Sequence, residues 1–190
     1  MIQNTKFFRF DGKSFETVAS SKCDHRKTYG LANYRGSPLT TGSNHPSDCY
    51  IRTEVYNFGT QQWHDAPDYP FAWIQIGGYS VASTDAAAFV IGGVDAMGYY
   101  SNVIAKFENE EWSLYGYLRL TRGYHKSITY GTETIVIGGE SDDDDSDATP
   151  KFSEIWDFSN GDNRTVVQGL NLRDTRGLYL VAADFLFFCR

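Results

Sequence analysis

The chain has 190 residues, 41% hydrophobic and 16% aromatic, which is enough apolar material for a packed core. Its formal net charge of −7 argues against a nucleic-acid partner, because phosphate recognition needs clustered Lys and Arg. No apolar run approaches the ~18 residues of a membrane-spanning helix, so no membrane partner is expected, and no basic stretch followed by an apolar one is visible at the start of these residues, which says little about location if residues precede Met1.

Residues 5–18 open with Phe7-Phe8-Arg9-Phe10, an Asp11-Gly12 turn and Phe15, which reads as a hairpin. Asp-Gly and Asn-Gly favour hairpins because both residues accept positive φ. The aromatic phrase returns as Val55-Tyr56-Asn57-Phe58, Ile104-Ala105-Lys106-Phe107 and Ile155-Trp156-Asp157-Phe158. Its closing phenylalanines lie 48, 49 and 51 residues apart, and Trp63 and Trp112 follow two of them as Phe15 follows Phe10. Such a period signals stacked copies of one small unit.

Ahead of the third and fourth phrases stand Phe89-Val90-Ile91-Gly92-Gly93 and Ile135-Val136-Ile137-Gly138-Gly139, with Pro38-Leu39-Thr40-Thr41-Gly42-Ser43 as a degraded counterpart. Each apolar tripeptide reads as a buried strand ended by glycines that permit positive φ and close packing. Arg122-Gly123-Tyr124 and Arg176-Gly177-Leu178 each open another apolar stretch. Within residues 123–172 the strands fall at about 124–130, 134–137, 154–158 and 164–168, the last two joined by Asn160-Gly161. Gly59 and Asn109 occupy the same turn in other copies. The frequent turns and the lack of helical periodicity predict an all-β chain. Its units are a half at 5–18, three full ones at about 29–68, 79–116 and 124–168, and a half at 178–188. Phe10, Phe58, Phe107 and Phe158 are expected at equivalent buried positions between adjacent sheets, with Trp63 and Trp112 largely buried too.

An apolar–Gly-Gly strand, then an aromatic phrase, then Trp at the next hairpin resembles the kelch repeat. The segment Thr53-Glu54-Val55-Tyr56-Asn57-Phe58-Gly59-Thr60-Gln61-Gln62-Trp63 is similar to that motif almost letter for letter, and the resemblance covers nearly the whole chain. It implies a kelch-type β-propeller, here about four blades of four antiparallel strands. The first copy lacks a true Gly-Gly and the last has no tryptophan after Phe158, so poorer packing is expected there. Kelch propellers commonly have six or seven blades, which at this period needs roughly 290 residues. The expectation is therefore an incomplete propeller, the C-terminal part of a larger kelch protein. The alternative is a small ring closed by pairing residues 5–18 with 178–188.

Cys23, Cys49 and Cys189 are odd in number and lack metal-ligand spacing. The expectation is three free thiols in a reducing compartment, with a lean to the cytoplasm; the alternative is a Cys23–Cys49 bridge in an exported protein. The run Glu140-Ser141-Asp142-Asp143-Asp144-Asp145-Ser146-Asp147 reads as a solvated loop of repelling charges, without the spacing of a calcium loop. His25, His45, His64 and His125 show no ligand spacing on one strand. No nucleophilic triad order, His-Glu-x-x-His or phosphate-cradling glycine loop occurs, so no catalytic residue, metal or cofactor is assigned.

The expected function is a non-enzymatic protein–protein interaction module. In the kelch family the loops joining strands two–three and four–one commonly form the binding face. Here those loops carry Arg26, Lys27, His45, Tyr99, Tyr100, Arg122, Tyr124, Asp143, Asp144 and Arg176. Arg and Tyr are the types that dominate interface energetics. Arg122 and Arg176 equally suit a structural role, bonding backbone between blades. The alternative function is a sugar-modifying or oxidase-type propeller enzyme with its site in a central channel, which strongly shifted ionisable groups there would favour.

Overall fold

The computed structural model describes residues 7–10, 12–23, 30–42, 49, 51–72, 77–142, 152–160 and 162–168. Among them are fourteen strands and no α-helix: β1(Phe7–Phe10), β2(Phe15–Val18), β3(Gly30–Tyr34), β4(Ser37–Thr41), β5(Thr53–Asn57), β6(Gln62–Ala66), β7(Ser80–Ser83), β8(Ala88–Val94), β9(Tyr100–Glu108), β10(Glu111–Tyr117), β11(Lys126–Tyr130), β12(Glu133–Ile137), β13(Phe152–Asp157) and β14(Asp162–Gln168). They form four antiparallel sheets in chain order: a two-stranded β1-β2 and the four-stranded β3–β6, β7–β10 and β11–β14. The half-unit expected at 178–188 lies outside the described residues.

Each sheet packs on the next through apolar side chains that alternation sends to its faces. Phe7 and Val18 meet Tyr56 and Trp63 across the first junction. Ala32, Tyr34 and Leu39 meet Ala88 and Phe107 across the second. Phe89, Ile91 and Leu118 meet Val136, Trp156 and Phe158 across the third. In β8, six consecutive residues from Ala88 to Gly93 are buried, as a strand covered on both faces requires. The outermost strands β6 and β10 are mostly exposed.

Phe58, Phe107 and Phe158 do not occupy equivalent places, and the hairpins differ in length; the Phe10 side chain lies outside the described residues. Asn57 pairs with Gln62 across a four-residue turn, so Trp63 lies opposite Tyr56. Glu108 pairs with Glu111 across a two-residue turn, so Trp112 lies opposite Phe107. Asn109 and Glu110 both take positive φ there, 52° and 62°, as a tight hairpin demands. Tyr56 therefore holds the place of Phe107, while Phe58 enters the turn and is 42% exposed. Phe158 also follows its strand, yet stays buried by stacking on Phe89 at 3.8 Å. Trp63 is buried as expected, and Trp112 is half-buried.

Cys23 and Cys49 form a disulfide with Cα atoms 5.5 Å apart. This corrects the expectation of three free thiols. The bridge joins the chain leaving β2 to the chain entering β5, and folding, not sequence proximity, brings these together.

Candidate functional site at the loop end of the sheets

The connections from a fourth strand to the next first strand cross the same end of the sheets as the loops between second and third strands. Two isolated bridges anchor them, Gly77 with Val94 and Gly123 with Glu140. Beneath them the glycines end the second strands with positive φ, for example 57° at Gly92 and 65° at Gly138. A Cβ on Gly92 would come within 2.6 Å of the Arg122 carbonyl oxygen and of His125 Cε1. The glycine thus makes room for a residue lodged from the next sheet.

Two buried carboxylates fasten the junctions. Glu54 accepts the Lys22 and Cys23 backbone N–H groups at 2.9 and 3.1 Å. Glu154, in the equivalent strand, accepts the Arg119 and Leu120 N–H groups at 2.8 and 3.5 Å. Arg122 lies against Glu154, with Nε 3.4 Å from Oε1, and donates to the Gly138 carbonyl at 2.9 Å. Burial lowers its pKa and the Glu154 charge offsets this. Arg122 is 0% exposed, so as a partner-contacting residue it is corrected to a structural one. Its side chain reaches the glycine turn and the third strand of the β11–β14 sheet, while its own carbonyl accepts the Gly93 N–H of the β7–β10 sheet at 2.6 Å, so the residue ties the two sheets together.

Above this frame the loop after β8 is a self-braced turn. Asp95 Oδ1 accepts the Met97 and Tyr99 N–H groups, each at 2.8 Å, and the Asp95 N–H donates to the Tyr99 carbonyl at 2.9 Å. Met97 and Tyr99 are left 84% and 63% exposed. Tyr100 turns inward: its hydroxyl donates to Glu140 at 2.5 Å, and its N–H donates to Asp142 at 2.9 Å. Burial, then the Glu140 hydrogen bond and nearby negative charge, raise its pKa. Tyr124 has φ 57°, donates its N–H to the Gly78 carbonyl at 2.6 Å, and keeps its ring 40% exposed. Of the expected site residues, Tyr99, Tyr100 and Tyr124 thus come together at one end. Arg26, Lys27, His45, Asp143, Asp144 and Arg176 lie outside the described residues.

Sequence reasoning passed over Met97, Asp95, Glu54 and Glu154. The signal for the first two is the Asp95-Ala96-Met97-Gly98 turn. The signal for the carboxylates is their shared column, Thr53-Glu54-Val55-Tyr56 beside Ser153-Glu154-Ile155-Trp156.

Lower in the junctions, the lodged residue is Tyr79 at one and His125 at the next. The Tyr79 hydroxyl donates to the Thr41 carbonyl at 2.7 Å, and burial raises its pKa. The His125 ring is buried and neither nitrogen makes a hydrogen bond. Burial pushes its pKa down to about 3, helped by Arg122 and Lys126, against a small opposing effect of the Ile91 backbone. At the far end of the sheets a larger cleft of about 570 Å³ includes Lys106 and Glu108, but these two charges pair with each other at 2.8 Å.

No family model and no curated protein matches this chain. Among solved structures it is similar to the structure of YjhT, with a TM-score of 0.69 and 14% identity over 88% of this chain. At that identity the likeness is one of fold. The chain spans 61% of the length of YjhT.

Proposed function

We propose that this chain is a kelch-type propeller region and that it works as a protein-binding module. Its contact surface is the loop end, where Tyr99 and Tyr124 project beside carboxylates that suit a partner segment bearing Arg or Lys. The observation that carries the reading is the braced turn at Asp95, which leaves two large side chains, Met97 and Tyr99, in water. Ordered aromatic anchors cost little entropy on binding, and such residues dominate interface energetics. An enzymatic reading has less support. Of the shifted groups, Tyr79, Tyr100 and Arg122 are engaged with backbone or a carboxylate, as packing elements are, while the His125 ring nitrogens make no hydrogen bond.

A photo-reactive residue placed at Met97 should crosslink to one protein saturably, in competition with unlabelled chain. Tyr99→Ser should weaken that capture at least tenfold with an unchanged melting temperature. Capture that survives both Tyr99→Ser and Tyr124→Ser would place any partner elsewhere and sink the reading.

A further inference from the structure

A cavity of about 210 Å³ opens among the first strands of three successive sheets, β3, β7 and β11, lined by Gly30, Tyr79, Ser80, Val81, His125, Lys126 and Ser127. Its polar lining is incompletely satisfied. Ser80 Oγ and both His125 ring nitrogens are buried and make no hydrogen bond. Buried polar groups almost always find a partner, in the protein or in something bound to it. Ser127 does find one, donating to the Val81 carbonyl at 2.7 Å, so the shortage is confined to Ser80 and His125. Lys126 stands at the same wall and forms no ion pair among the described residues.

The ligand chemistry follows from these groups. A neutral imidazole offers one donor and one acceptor, a hydroxyl offers either, and an ammonium offers donors with a full positive charge. Arg122, close behind His125, is already matched by Glu154. Lys126 is thus the charge left for a ligand to meet. The volume admits a few heavy atoms and excludes a peptide.

We propose that this cavity binds a small oxyanion, a carboxylate or a phosphate, whose oxygens meet the Lys126 ammonium, the Ser80 hydroxyl and the His125 ring.

The test is titration of the full chain, labelled with ¹⁵N in its histidine rings, at pH 7 and constant ionic strength. Inorganic phosphate and acetate are the two probes, and chloride is the control. At least one probe should shift the His125 ring resonances saturably, with chloride producing no such shift; which probe saturates separates phosphate from carboxylate chemistry. Lys126→Met should weaken that binding by roughly tenfold or more, and Ser80→Ala by a few-fold. Lys126→Gln serves as the second variant should the methionine disturb folding. No saturable shift with either probe up to about 50 mM, weaker than any useful millimolar site, overturns the proposal. So does a shift that Lys126→Met leaves intact.

Discussion

The Arg122–Glu154 pair is the sharpest place to test how the sheets are joined. Both side chains are fully buried, and Glu154 also holds the Arg119 and Leu120 amides. Removing one member of a buried pair leaves an uncompensated charge, which costs about 3–5 kcal/mol. Arg122→Met should therefore destabilise by that amount, and so should Glu154→Gln, which keeps one acceptor oxygen but sets an amide donor against one of the two backbone N–H groups that now bond to separate carboxylate oxygens. The double variant carries no buried charge. It should cost about as much as either single change, leaving a coupling of ~2 kcal/mol or more. Urea unfolding at pH 7 gives these differences, and they should persist in 1 M salt because a buried pair is poorly screened. Hydrogen exchange adds a local reading, since the Arg119 and Leu120 amides should exchange faster in Glu154→Gln. Strict additivity, or single changes costing below ~1 kcal/mol, would show that the junction is held by apolar packing alone.

Trp63 is buried, donates to the Ala19 carbonyl at 2.7 Å and touches Phe7 at 4.5 Å, so Trp63→Ala should cost about 3–5 kcal/mol. A thermal melt with no loss would refute this. The Cys23–Cys49 bridge spans 26 residues, and the chain-entropy model gives about 3.5 kcal/mol for such a loop. Reduction should lower the melting temperature, and an unchanged melt would mean the thiols are unlinked in solution. His125 has its pKa held at about 3 against an ordinary 6.5. The unfolded chain therefore takes up a proton that the folded chain refuses as pH falls below 6.5. Stability should drop by about 1.4 kcal/mol per pH unit until pH nears 3. His125→Gln should flatten that part of the profile, and equal slopes would exclude His125 as its source.

The strands were legible because every unit carries its own punctuation. Gly138-Gly139 ends β12 where the sequence predicts, and the Asp157–Asp162 pairing brackets the Asn160-Gly161 turn. The phenylalanine column misled because spacing along the chain does not reveal hairpin length. Two residues fewer between β9 and β10 move Phe107 into the core place that Tyr56 fills elsewhere. Since side chains alternate every residue, a two-residue offset keeps the face and hides the change. The disulfide could be read only as the alternative for a related reason: Cys23 and Cys49 meet only once two sheets have docked. Arg122 reads in sequence as a loop arginine, and only the placement of Glu154 beneath it makes burial tolerable. Ser80 and His125 belong to no motif, so their shared cavity emerges from packing alone.

The two lodged residues occupy corresponding joints in successive sheets. Tyr79 sits over Gly42 and reaches the carbonyl of Thr41, the residue before that glycine. His125 sits over Gly92, and the residue before that glycine is Ile91, whose backbone already acts weakly on the ring. The joints are alike in backbone, but a shorter side chain at the second falls short of the acceptor that a tyrosine hydroxyl meets at the first. His125→Tyr should let a hydroxyl reach the Ile91 carbonyl, a hydrogen bond contributing about 1 kcal/mol. It should also remove the acid lability described above, because a tyrosine stays neutral between pH 3 and 7. Urea unfolding at pH 7 and pH 4.5 would then give nearly equal stabilities for the variant, corrected for carboxylate titration by comparison with His125→Gln. The cavity beside the ring gives the larger side chain room. Overpacking a filled site typically costs 1–3 kcal/mol, so a loss in that range at pH 7 would show that the joints are not equivalent and that the His125 ring is already fitted to its place.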